Sequence, residues 1–160
     1  MKAILRSGFL ALAIMALAAP ANAVPFEEGL AAHERGDFAT ALKFWQPLAE
    51  QGDSRAQFYL GVLYDAGEGV PQDRVEGVKW YERAAKQGNV DAQYFLGISY
   101  HFGRGVPQDY SLAHMWYNIA GASAFHKASR ARDLVAEDMT PDQIAEAQRM
   151  AREWMAKHQQ

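Results

Sequence analysis

The sequence contains no cysteine. That absence removes disulfide frameworks, thiolate zinc sites, iron–sulfur clusters and a cysteine nucleophile. A basic excess is missing too: 16 Lys+Arg stand against 19 Asp+Glu, a formal net charge of −3. A dedicated nucleic-acid binder would carry the opposite imbalance, so no nucleic-acid partner is expected. There is no His-Glu-x-x-His, Ser-x-x-Lys, Gly-x-Ser-x-Gly or Walker loop. The histidines, His33, His101, His114, His126 and His158, are never spaced i, i+4 on one helix. No metal, no cofactor and no catalytic residue is therefore expected. With 49% hydrophobic and 22% charged residues the composition is that of a globular chain, which excludes wholesale disorder.

What is present begins with a leader pattern. Lys2 and Arg6 precede an apolar run from Gly8 to Ala19, Pro20 breaks it, and Ala21-Asn22-Ala23 is a small-x-small cleavage site. This is the three-part signature of a signal peptide over residues 1–23. The apolar run is shorter than the ~20 residues that spanning a bilayer needs, and no later segment is long enough either. The expectation is export, to the periplasm or beyond, with no membrane span in the mature chain. Loss of Lys2 and Arg6 takes the net charge from −3 to −5. Export without a disulfide means that packing alone must hold the fold.

A repeat organises the remainder. Residues 52–87 written above 88–123 give 15 identities in 36 positions, among them Leu60/Leu96, Gly61/Gly97, Tyr64/Tyr100, Trp80/Trp116 and Tyr81/Tyr117. Each unit reads as helix, loop, helix. Ala56, Leu60, Gly61 and Tyr64 share one helical face, with Gly61 allowing close approach of a neighbouring helix. Gly67-Glu68-Gly69-Val70-Pro71 ends that helix, and Asp73 caps the next, with Glu76 placed for a capping box. Gly67-x-Gly69 and Gly103-x-Gly105 follow helices and lack a third glycine, so they read as turns rather than phosphate loops.

The flanks are weaker copies. Phe26–Arg35 and a segment with Ala41, Leu42, Phe44, Trp45 and Leu48 form a hairpin with a tighter turn. Downstream, His126–Glu137 is predicted helical. Thr140-Pro141-Asp142-Gln143 opens a last helix whose stripe is Ile144, Ala147, Met150, Ala151 and Trp154. These two are expected to form a hairpin that shields the last repeat. The predicted layout is a leader at 1–23, a degenerate hairpin at 24–52, repeats at 53–88 and 89–124, and capping helices at 125–160. Trp80, Tyr81, Trp116, Tyr117, Leu60, Leu96, Tyr64 and Tyr100 are assigned to helix packing.

The motifs Ala56…Leu60-Gly61…Tyr64, Gly67-Glu68-Gly69-Val70-Pro71-Gln72-Asp73 and Trp80-Tyr81…Ala84-Ala85, with their second copies, resemble Sel1-like repeats of the tetratricopeptide class. Gly77 and Gly121 stand where that pattern usually has Ala. The resemblance implies an all-α fold, a right-handed α-solenoid of antiparallel helix hairpins. It also implies a non-enzymatic scaffold or adaptor of the bacterial envelope that binds a protein or peptide in a concave groove. Aligning Leu60-Gly61-x-x-Tyr64 with the class pattern puts Arg55, Phe58, Tyr59, Val62, Asp65 and Ala66 in that groove. The second unit contributes Asp91, Tyr94, Phe95, Ile98, His101 and Phe102, and the first hairpin Phe26, Leu30, His33 and Glu34. The aromatics would suit peptide recognition, or alternatively stacking on a cell-wall glycan. Half of them could instead pack between hairpins. An envelope hydrolase, built on Asp65 with Glu68 or Asp91 with His101, is the least favoured reading.

Overall fold

The computed structural model describes residues 23–158; all of the expected leader except Ala23 lies outside them. Eight helices follow one another: α1 (Ala23–Glu34), α2 (Phe38–Glu50), α3 (Ser54–Ala66), α4 (Arg74–Lys86), α5 (Val90–Phe102), α6 (Tyr110–Ala122), α7 (His126–Ala136) and α8 (Pro141–His158). There is no strand among the described residues. Through α7 each helix packs on its predecessor, which makes an all-α solenoid of stacked hairpins.

Short polar side chains set the helix starts. Asp37, Asp53, Asp73, Asn89 and Asp109 each accept a hydrogen bond from a backbone N–H of the first turn, at 2.9–3.1 Å. A cap of this kind is worth ~1 kcal/mol. The capping box read at Asp73 is only half formed. Glu76 turns to Lys79 at 3.0 Å, while the Asp73 N–H donates to the Tyr64 carbonyl, which draws the loop back onto α3. Asp109 does the same with Tyr100. At Thr140 the box is complete: its N–H donates to Gln143 Oε1 at 2.8 Å, and the Gln143 N–H donates to Thr140 Oγ1 at 3.3 Å.

Each of the first three hairpins crosses on a glycine laid against an aromatic ring. A Cβ at Gly29 would overlap Trp45, one at Gly61 would overlap Tyr81, and one at Gly97 would overlap Tyr117. Those rings are the largest fully buried side chains of the fold. Gly77 has a similar reason: a Cβ there would sit 3.0 Å from the Gly61 carbonyl oxygen. The loop motif is also absorbed by structure. Gly67 and Gly103 end α3 and α5 in the left-handed region. Gly69 abuts the backbone of Phe38, and Gly105 that of Arg74, so each loop rests on the preceding hairpin. Gln72 and Gln108 donate to the Asp65 and His101 carbonyls at the ends of α3 and α5. Buried Gln57 and Gln93 donate to the Ala49 and Ala85 carbonyls of the hairpin before.

Two expectations need correction. Tyr64 and Tyr100 are half-buried rather than core, because their rings lie at the edge of the apolar clusters. The last two helices do not form a hairpin like the others. Helix α7 packs on α6, and α8 also docks on α6 instead of pairing with α7. The stripe of Met150, Ala151, Trp154 and Met155 finds Met115, Trp116 and Ile119, with Trp116 and Trp154 meeting edge to face at 5.3 Å. Helix α6 offers Met115, Trp116 and Ile119 to this stripe, whereas the exposed positions of α7 are mostly polar, Lys127, Arg130 and Asp133, beside Leu134.

Candidate functional site

Helices α1, α3 and α5 carry every residue predicted for the groove, and none of the predicted positions on α3 and α5 is fully buried. Arg55, Ala66, Asp91 and Phe102 are exposed; Phe58, Tyr59, Val62, Asp65, Tyr94, Phe95, Ile98 and His101 are half-buried. On α1, Phe26 is buried, Leu30 and His33 are half-buried and Glu34 is exposed. Both readings of the aromatics are therefore present at once: Phe58, Tyr59, Tyr94 and Phe95 each pack against other rings and keep part of their surface open.

The rings join into one row. Trp45 stacks on Tyr59 with centroids 4.5 Å apart, and Tyr59 meets Phe26 at 5.7 Å and Phe58 at 5.2 Å. Phe58 meets Phe95 at 5.3 Å, Phe95 meets Tyr94 at 6.1 Å, and Tyr94 meets Phe125 at 5.3 Å. The contacts from Tyr59 onward along the row are edge to face. His101 stacks on Phe102 at 4.3 Å and lies 3.4 Å from the Tyr117 hydroxyl. Burial pushes the His101 imidazole down from its ordinary range, against the opposing pull of Asp138. Val62 packs against the cluster around Tyr81 and Phe95, and Ile98 against that around Tyr117 and Val135.

Charge surrounds the row. The Arg55 guanidinium lies 4.0 Å over the Phe26 ring and reaches Asp53 at 3.5 Å and Glu27 at 3.9 Å. Burial pushes the Tyr59 hydroxyl up, and the carboxylates of Asp91, Glu34 and Glu27 add to the shift. The pairings that a hydrolase would need are not assembled. Asp65 faces Arg74 at 3.4 Å, and Glu68 faces His33 at 3.7 Å. Asp91 and His101 stand at opposite ends of α5, about 15 Å apart by the helical rise. Among the described residues no group of three or more His, Asp or Glu is placed to hold a metal, and no helix is long and apolar enough to cross a membrane.

Sequence reasoning missed Phe125 and Glu27 as parts of this face, and Trp45 of α2 as the buried ring beneath it. The signal for Trp45 was Gly29, which is 16 residues before it, whereas Gly61 and Gly97 are 20 before Tyr81 and Tyr117. The shorter first loop hid that equivalence. A separate open cleft of about 290 Å³ lies where α4, α6 and α8 end, lined by Gln87, Gln93, Ser123, Trp154 and His158 among others. Gln87 donates to Gln57 at 2.7 Å, but its counterpart one period on is Ser123, too short to reach Gln93. None of the predicted residues lines this cleft.

Similarity to known proteins follows the same architecture. The family model for the Sel1 repeat matches residues 11–53, 54–89 and 90–124. A Sel1 repeat protein from Oxalobacter formigenes is 37% identical with a TM-score of 0.63, over 71% of this chain and 88% of that one. A protective antigen present in uropathogenic Escherichia coli strains, displaying an SLR fold, superposes with a TM-score of 0.82 at 26% identity. That superposition covers 86% of this chain but only 30% of the antigen. No curated protein sequence matches. Sel1 repeat proteins generally mediate protein–protein interaction and are typically non-enzymatic scaffolds. Three matched repeats, glycine-on-aromatic crossings and the stacked hairpins lead to one conclusion: the chain belongs to the Sel1 repeat family.

Proposed function

We propose that this protein is an exported interaction scaffold of the bacterial envelope, holding an extended peptide or protein segment along the face of α1, α3 and α5. The observation that carries the reading is the continuous, half-buried aromatic row from Tyr59 to Phe125. Such rings offer large, rigid contact area at small entropic cost, which is what recognition surfaces use. Their edge-to-face arrangement favours side chains slotting between rings over a sugar lying flat on a platform, so the peptide reading stands ahead of the glycan one. The leader pattern at 1–23 supports export, and the family supports a protein partner.

Photo-crosslinking tests the surface. A benzoylphenylalanine at Ala66 or Phe102 should give discrete adducts in the envelope, and one at Gln148 on α8 should give none. Adducts from Gln148 alone would overturn the assignment. The recovered chain should begin at Val24 and fractionate with the periplasm; an unprocessed cytoplasmic chain would overturn the envelope placement.

A further inference from the structure

The junctions along this face repeat in build but reverse in charge. At the α1–α3 junction the chain supplies everything: Phe26 as floor, Arg55 above it at 4.0 Å, and Glu27 as counter-charge at 3.9 Å. Phe26 precedes Gly29 by three residues, as Phe58 precedes Gly61, so the two rings hold equivalent places. One period after Arg55 stands Asp91. The α3–α5 junction thus keeps the aromatic floor, Phe58 with Tyr59, and has a carboxylate in place of the cation.

Glu34 is exposed on the neighbouring α1 and its charge, like that of Asp91, bears on the Tyr59 hydroxyl, whereas Glu27 is engaged by Arg55. Among the described residues neither Glu34 nor Asp91 has a cation within 4 Å. The cations placed over rings there are Arg55 on Phe26 and Arg83 on Trp80, and none covers Phe58 or Tyr59. Half-buried rings flanked by exposed carboxylates attract a positive group through both the ring faces and the negative charge.

We propose that the partner is an extended peptide segment that places a lysine or arginine at the α3–α5 junction. Its cation lies over Phe58 and Tyr59 beside Asp91, with Glu34 on α1 adding its charge, as Arg55 lies over Phe26. Its apolar neighbours rest on Val62 and Phe95. This rests on the scaffold reading and specifies the chemistry of its partner. The acidic balance of the chain adds steering toward basic segments, an effect that falls with salt.

The test uses ¹⁵N-labelled protein and three acetylated, amidated pentapeptides, Ala-Leu-Xaa-Leu-Ala, with arginine, norleucine or glutamate at the centre. The arginine peptide should shift the amide signals of Tyr59 and Asp91 and bind about tenfold more tightly than the norleucine one. Glu34→Gln with Asp91→Asn should erase that preference without changing the far-ultraviolet circular dichroism. Equal binding of the arginine and norleucine peptides at these signals would overturn the cation while leaving the peptide face. A preference that survives the double variant would also overturn it. If no peptide moves these signals, and a soluble cell-wall oligosaccharide or simple dilution moves them instead, both the cation and the peptide face fall. The occupant would then be a sugar or a second copy of the chain.

Discussion

Aromatic residues on the first and second helices of the same hairpins end in different places. On the second helices Trp45, Tyr81 and Tyr117 are at most 1% exposed and lie against glycines. On the first helices Phe58, Tyr59, Tyr94 and Phe95 stay half open, and Phe102 is 63% exposed. One residue class thus serves two ends. The second-helix rings set how closely each hairpin closes, and the first-helix rings bridge neighbouring hairpins while keeping a surface for a partner. Stability should therefore fail when the former are changed, and binding when the latter are.

The largest effect is expected at a crossing. Tyr81→Ala should cost about 3–5 kcal/mol, read as a fall in the chemical-denaturation midpoint. Tyr81→Phe should be nearly neutral, because the buried Tyr81 hydroxyl has no hydrogen-bond partner among the described residues. A large loss in Tyr81→Phe would mean that the ring is held by its hydroxyl and not by the glycine it covers. Next comes the docked end: Trp154→Ala should cost about 2 kcal/mol, since its contact with Trp116 is only part of the α8 stripe. Hydrogen exchange should quicken in α8 and stay unchanged in α3 and α4.

A smaller, pH-dependent effect belongs to His114 on α6, which is buried with Nδ1 unpartnered among the described residues. Burial holds its imidazole below the ordinary histidine range; Arg132 on α7 adds to this and Asp133 opposes it. Between the folded and unfolded values the unfolded chain binds more protons, so stability is full above the unfolded value and declines as pH falls through this window. Thermal melts from pH 7 to 5 should show that decline, and His114→Gln should flatten it. An unchanged slope in the variant would place the acid sensitivity elsewhere.

Much of this fold was legible because the 36-residue period, the Gly-x-Gly turns and the Asp caps each have a local physical cause. The packing of α8 was not. A stripe of Ala147, Met150, Ala151 and Trp154 says that a face is buried, but not against which neighbour, and it was Met115, Trp116 and Ile119 of α6 that it met. The role of Trp45 was masked by a loop four residues shorter than in the later repeats. On the binding face the residue types and their helix could be read from the motif register. The pull of the Asp91, Glu34 and Glu27 charges on the Tyr59 hydroxyl could not, because it depends on how α1, α3 and α5 stack.

The division between closing rings and binding rings is tested most directly by Tyr59→Ala combined with Phe95→Ala. Circular dichroism and the melting transition of this double variant should show a folded solenoid, while binding of the arginine peptide and capture of a partner from envelope extract are lost. Capture equal to that of the unaltered protein, with the variant folded, would contradict the account.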